Sequence, residues 1–182
     1  MSWILTASGK RFDLINPTVN MICIEDIATA LSKQCRYNGH CTTFYSVARH
    51  CVLMAEQASD GKKLAALMHD ATEAYIGDMV KPLKNIIPEF EAFEDKIYKL
   101  IAEKYGLPLE LPEEVKLLDL RMLATEIKYI MPNYKGELAC TENVKTLDIP
   151  EYCFFNEVPL ETEQEFLHLF NELYKSDSKG HD

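Results

Sequence analysis

Leu64-Ala-Ala-Leu-Met-His-Asp-Ala-Thr-Glu-Ala-Tyr-Ile-Gly-Asp78 reads as an apolar helix carrying three residues that do not belong on one: His69, Asp70 and Glu73. Carboxylates are rarely buried unless they are paired or bind a metal. A divalent metal site is the economical reason for placing them there. Its other ligands must then come from neighbouring helices.

Outward from this stretch, the chain reads as alternating helices and turns. The His-Asp helix is expected over about Lys62 to Tyr75, closed by Gly77 as a C-terminal cap. Before it, a helix over about Phe44 to Gln57 carries the stripe Phe44, Val47, Cys51 and Met54. A loop, Arg36-Tyr-Asn-Gly-His40, separates that helix from a short one over about Ile24 to Gln34, whose apolar face is Ile24, Ile27, Ala28 and Leu31. Residues 1–16 read as a β-hairpin turning at Ser8-Gly9.

After the short segment Lys81-Pro-Leu-Lys84, a helix over about Pro88 to Tyr105 presents Phe90, Phe93, Ile97, Leu100 and Ile101 and stops at Gly106 and Pro108. Another, opened by Pro112, reaches about Met131. Residues 132–157 have no period and read as an irregular surface excursion or partner contact. A last amphipathic helix is expected over about Glu161 to Tyr174, before a frayed polar tail. The fold class is therefore all-α, a single mainly helical domain over 1–182 with a short N-terminal hairpin.

The composition bounds the function. At 182 residues, with 47% hydrophobic and 26% charged, the chain can bury a substantial core without cross-links. Its net charge of −10 argues against a polymeric nucleic acid as partner, though a few local cations and a metal can still hold a small anion. The cysteines at 23, 35, 41, 51, 140 and 153 include no C-x-x-C pair, and the start Met-Ser-Trp-Ile-Leu-Thr lacks the features of a signal peptide. Reduced thiols and a cytoplasmic location are expected, with no Cys-ligated zinc. No apolar run approaches the roughly 20 residues of a membrane span.

Of the five histidines, His181 repeats the His-Asp dipeptide but sits in the polar tail, and His168 in Phe166-Leu-His-Leu-Phe170 reads as packed or superficial. His50, beside Val47 and Met54 on its helix, could be a satisfied core histidine. Next to His69-Asp70 it becomes a second imidazole aimed at one ion. In Glu114-Val-Lys-Leu-Leu-Asp-Leu-Arg-Met-Leu123, Asp119 lies on the stripe of Val115, Leu118 and Met122. It needs a cation there, either Arg121 or a metal.

Glu73 lies one turn beyond His69 and Asp70, placed to exchange a proton with water at the site. Asp78 is a second candidate for ordering that water, and equally a plain turn residue. Arg36, Lys81 and Lys84 flank these helices and could clamp phosphate oxygens, each being otherwise a surface charge. Tyr37 could stack on a base or simply pack its loop.

The order His50, His69-Asp70, Asp119 resembles the H…HD…D pattern of the HD-domain phosphohydrolase superfamily. Tyr45-Ser-Val-Ala-Arg-His50 is similar to the helix presenting the first ligand there. His69-Asp-Ala-Thr-Glu73, Gly77-Asp78 and Lys81-Pro-Leu-Lys84 resemble the branch that includes the bacterial 5′-deoxynucleotidases. Arg36 matches that branch's phosphate-contacting arginine, and Tyr37 its neighbouring aromatic. Arg49 departs from the acidic residue expected before His50. The length, the start and the Cys35-Arg-Tyr-Asn-Gly-His40 loop resemble phage and prophage members, among them dATP triphosphohydrolases. The resemblance covers about residues 1 to 130.

What it implies is a helical HD domain with one divalent ion (Co, Mn, Zn or Mg) on His50, His69, Asp70 and Asp119. Glu73 and Asp78 would then manage protons and water. Arg36, Lys81 and Lys84 would hold phosphates, with Tyr37 and Pro82 flanking the base. The expected activity is hydrolysis of dATP to deoxynucleoside and triphosphate. The alternatives are a 5′-deoxynucleotidase acting on monophosphates, a cyclic-nucleotide phosphodiesterase, and a non-catalytic metal- and nucleotide-binding protein. The extra histidines of a two-metal site are missing. A homo-oligomer, dimer or hexamer, is expected, in the host cytoplasm if the gene is phage-borne.

Overall fold

The structure, a computed structural model, describes residues 2–131, 133–134, 141 and 143–179, with side chains through residue 176. Two strands, β1 (Trp3–Leu5) and β2 (Arg11–Asp13), form an antiparallel hairpin with Ile4 opposite Phe12. Gly9, at φ +79°, makes the turn that a side chain would strain. The buried Phe12 ring stacks 4.0 Å from that of Tyr75, whose hydroxyl accepts the Cys23 N–H at 3.1 Å. Asp26 accepts the Ser8 N–H at 2.6 Å and its hydroxyl at 2.8 Å, fixing the hairpin tip.

Among the described residues the remaining regular structure is helical: α1 (Ile24–Leu31), α2 (Val47–Gln57), α3 (Lys63–Leu67), α4 (Glu73–Ile76), α5 (Lys81–Lys84), α6 (Pro88–Tyr105), α7 (Glu113–Ile130) and α8 (Pro159–Lys179), with short 3-10 turns between them. α2 is the central helix, packed against α1, α3, α7 and α8. Val47, Ala48, His50, Cys51, Val52, Leu53, Met54 and Ala55 are all buried on it. A helix apolar nearly all round belongs inside a domain. Ser46 caps it by accepting the Arg49 N–H at 3.0 Å, and the Glu157 carboxylate accepts the Ser46 N–H at 2.8 Å. Among the described residues, no helix is long and apolar enough to cross a membrane.

The mainly helical domain with an N-terminal hairpin is as the sequence predicts, and α6 has the expected bounds. Pro88 opens that helix and Gly106 closes it in the left-handed conformation. Elsewhere the structure corrects the boundaries. The expected helix over 62–75 is two short helices, because the Ala66 carbonyl accepts His69 Nδ1 at 2.7 Å. A side chain competing for a backbone acceptor interrupts the helical ladder. Ala71 and Glu73 then donate three residues back, to Met68 and Asp70.

The first helix ends at Leu31, and α2 begins at Val47, so Phe44 precedes it. Lys81–Lys84 is a helical turn, and α8 extends past both predicted ends. Phe93 is 43% exposed, since only the C-terminal half of α6 reaches the core. The described part of 132–157 is largely irregular but anchored to the core: Leu147, Ile149 and Phe154 are buried, with Phe154 against Tyr45 and Tyr129. Pro132, Cys140, the His181-Asp182 repeat and the end of the tail lie outside the described residues.

Candidate metal centre

Two histidines and two aspartates from three places in the chain converge beside α2. His50 is fully buried on α2, His69 and Asp70 lie in the turn between α3 and α4, and Asp119 projects from α7. His50 Nε2 stands 3.2 Å from His69 Nε2, 3.3 Å from Asp119 Oδ1 and 3.7 Å from Asp70 Oδ2. Asp70 Oδ2 is 3.1 Å from His69 Nε2. Atoms bound to one divalent ion at about 2.0–2.2 Å lie roughly 3–3.5 Å apart, so the spacing suits a shared cation.

The hydrogen bonding on the far side of each ring makes the same point. His50 Nδ1 meets Glu126 Oε1 at 2.6 Å, and His69 Nδ1 donates to the Ala66 carbonyl at 2.7 Å. With both Nδ1 atoms donating, the neutral rings turn their Nε2 lone pairs toward each other and toward two carboxylates. Such a group of acceptors needs a cation, and histidines fixed through the opposite nitrogen are the usual metal-ligand arrangement. His50, His69 and Asp119 together could hold a metal ion, and Asp70 adds a carboxylate oxygen 3.1 Å from His69 Nε2.

Cys51 stands 3.9 Å from His69 Nδ1, behind the ring, and also belongs to a group with His69 and Asp70 that could hold an ion. Burial pushes its thiol up, which makes it a poor thiolate donor. The Nε2 side is the better site.

Asp119 departs from the expected inward placement: half of its side chain is exposed, although its Oδ1 reaches His50. Glu126, absent from the sequence-derived candidates, is instead the fully buried carboxylate of α7. Besides His50 it takes Arg36 Nη2 at 3.2 Å and the Tyr37 hydroxyl. A signal for it exists, since Glu126 follows Asp119 by two helical turns and Met122 by one, on the same buried stripe.

Arg36 also pairs with Asp70 at 3.5 Å, and its guanidinium lies over the Tyr37 ring at 5.2 Å. Both loop residues are therefore tied into the site wall rather than free. Arg49 pairs with Glu165 of α8 at 2.8 Å, so the missing acid before His50 is replaced by an outward ion pair.

Glu73 is 5% exposed, and its Oε2 is buried with no hydrogen-bond partner among the described residues. Lys84 Nζ lies 3.9 Å from Glu73 Oε1 and 2.6 Å from Glu94. Gln34, another residue outside the candidates, holds the segment that bears Glu73 and Asp78. Its amide donates to the Glu73 carbonyl at 3.0 Å and accepts the Asp78 N–H at 3.1 Å. Lys81 and Pro82 are exposed on α5. His40 is exposed too, and His168 is superficial beside Glu172.

The carboxylates of Asp70, Glu73, Asp78, Asp119 and Glu126 outnumber the cations Arg36 and Lys84. Burial, then Asp70 and Asp78, hold the Glu73 carboxyl well above its ordinary range. Burial also raises Asp78. Burial opposes the charge on Asp70 and Asp119, yet the imidazoles outweigh it and lower both.

In the metal-free chain, burial disfavours a proton on His50, as does Arg36, but Glu126 and Asp119 prevail and raise it above 6.5. For His69, burial is overcome chiefly by Asp70. Stability from these raised values is complete below the unfolded imidazole value and is lost as pH rises through the folded values. A divalent ion must displace the same protons. Its affinity is therefore expected to rise with pH from about pH 6 to pH 8, by about tenfold per unit for each proton displaced. Calorimetric titration with Mn²⁺ in buffers of different ionisation enthalpy checks this, and a flat affinity without proton release would contradict it.

No family model matches the chain. It is 48% identical over 126 residues to the uncharacterized protein YfdR of Escherichia coli, a match covering 69% of this chain and 71% of that protein. The chain belongs to the YfdR family. A second uncharacterized protein, from Rhodobacter capsulatus, is 39% identical over 125 residues, covering 63% of this chain and 64% of that one. Neither name states an activity, so the site itself carries the functional reading of this YfdR-family protein.

Proposed function

We propose that this YfdR-family chain is a divalent-metal-dependent phosphohydrolase of deoxynucleotides, of the HD-domain kind, with dATP as its substrate. The observation that carries the reading is the convergence of His50 Nε2, His69 Nε2, Asp70 and Asp119 beside a buried Glu73 oxygen that has no hydrogen-bond partner among the described residues. A divalent ion held by those four residues would polarise a phosphoryl oxygen and lower the pKa of water. Glu73, whose carboxyl burial holds well above its ordinary range, gives or takes the proton that hydrolysis moves. Asp78 orients the water from the next turn.

Lys84, 3.9 Å from Glu73, and Lys81 on the same helical turn attract the polyphosphate. Arg36, paired with Glu126 at 3.2 Å and Asp70 at 3.5 Å, offsets their negative charge beside the phosphates. The Tyr37 ring and Pro82 provide surfaces against the base, and the sequence resemblance around Arg36-Tyr37 supports this assignment.

Attack at the α-phosphorus releases deoxyadenosine and triphosphate; attack on a monophosphate releases inorganic phosphate. Incubation with dATP and with dAMP in Mn²⁺, Co²⁺, Zn²⁺ or Mg²⁺, with products separated by chromatography, distinguishes the two. Triphosphate from dATP is the expected result. Phosphate from dAMP with dATP untouched would instead assign a 5′-deoxynucleotidase.

A further inference from the structure

We propose that Cys35 and Cys41 form a reversible disulfide that closes the Arg36–Tyr37 loop. Their sulfurs are 3.6 Å apart in the reduced chain, and both residues are partly exposed. A disulfide bond is about 2.04 Å long, so the sulfurs must approach by only about 1.6 Å. The intervening backbone is already folded back on itself: Tyr37, Asn38 and Gly39 lie in the left-handed region at φ 58°, 52° and 78°. The ends of the loop are pinned by the Arg36 N–H to the Tyr45 carbonyl at 2.9 Å and by a Cys35–Ser46 bridge. The thiol geometry carries this independently of the reaction proposed above.

The two sulfurs have different parts in the exchange. Cys41 Sγ donates to the Thr43 carbonyl at 2.9 Å, and burial together with Cys35 pushes its thiol up to about 11. It keeps its proton, so Cys35 is the first nucleophile. The oxidant is a small-molecule disulfide of the glutathione class. The Cys35 thiolate attacks one of its sulfurs, the small S–S bond breaks, and one thiolate leaves. Cys41 then passes its proton to that thiolate and attacks Cys35 Sγ, and the second small thiolate leaves. Two protein thiols are oxidised to one disulfide, and one small disulfide is reduced to two thiols.

The bond spans Arg36 and Tyr37, which hold Glu126 and through it His50. It therefore stiffens the loop on which the imidazole's orientation depends, at a position where three consecutive left-handed residues are costly to order.

The test equilibrates the full chain in glutathione redox buffers, blocks free thiols, and maps trypsin fragments by mass. The expected product is fragment 34–36 linked to fragment 37–49, which contain Cys35 and Cys41 as their only cysteines. Its equilibrium constant against glutathione should be at least tenfold higher in the folded chain than in concentrated urea. Oxidation should raise the melting temperature by roughly 5 °C, reversed by a thiol reductant. Equal constants in the two states, dominant pairing of other cysteines, or a lowered melting temperature would each overturn the assignment.

Discussion

Replacing Glu73 by Gln is expected to lower turnover in the proposed deoxynucleotide hydrolysis by roughly 10²–10⁴-fold while leaving Mn²⁺ bound. Glutamine matches the volume and hydrogen-bonding reach of the glutamate but cannot exchange a proton. Glu73 lies in the site wall, 5% exposed, with one carboxylate oxygen unpartnered among the described residues and the other 3.9 Å from Lys84. Burial and the neighbouring Asp70 and Asp78 raise its pKa. A carboxyl raised above its unfolded value near 4.5 destabilises the fold as pH rises past that value, so Gln should also leave the chain at least as stable at neutral pH. Steady-state kinetics, metal titration and thermal melting on the same variant separate these effects. Unchanged turnover would remove Glu73 from the chemistry, and lost Mn²⁺ would make it a ligand.

Replacing Glu126 by Ala is expected to cost about 3–5 kcal/mol of folding stability and about 10–100-fold in Mn²⁺ affinity. The carboxylate is fully buried, and three groups converge on it: Arg36, the Tyr37 hydroxyl and His50 Nδ1. Burial opposes its charge, but Arg36 and His50 outweigh that and hold its pKa down. Truncation would leave the Arg36 guanidinium with Asp70 alone, at 3.5 Å, in a site only 11% exposed. It would also free the His50 ring to rotate. Glu126→Gln, which can still accept from Nδ1, should recover most of the metal affinity while remaining less stable. Urea denaturation gives the first quantity and calorimetry the second. A Glu126→Ala chain of normal stability would mean that the pair with Arg36 contributes nothing to the fold.

The two residues differ in how far the sequence exposes them. Glu73 stands out because it interrupts an apolar run next to another histidine and acid. Glu126 lies on a mixed stripe, one turn past Met122, where the charged neighbours of an ordinary amphipathic helix disguise it. Gln34 gives no sequence signal at all. Its role comes from main-chain groups at Glu73 and Asp78, some forty residues away.

Boundaries divide along the same line. α6 was legible because Pro88 and Gly106 act on their own backbone, through a missing N–H and an accessible left-handed conformation. The break at His69-Asp70 was not, because it depends on an imidazole bonding the Ala66 carbonyl. Likewise the described stretch around Leu147, Ile149 and Phe154 has no periodicity to read. It enters the core through distant contacts, Phe154 with Tyr45 and Tyr129 and the Leu147 N–H with the Thr125 hydroxyl.

By itself the sequence determined the helical class and the hairpin, and it picked out His50, His69, Asp70 and Asp119 as candidate ligands. Those follow from periodicity, turn chemistry and the cost of burying charge, which are local or act on single residues. Tertiary structure alone decided that Asp119 stands half exposed, that Arg36 and Tyr37 are bound inward to Glu126, and that Cys35 and Cys41 meet. Each of these is a contact between side chains whose positions are set by how whole helices and loops pack, and no spacing along the chain encodes that distance.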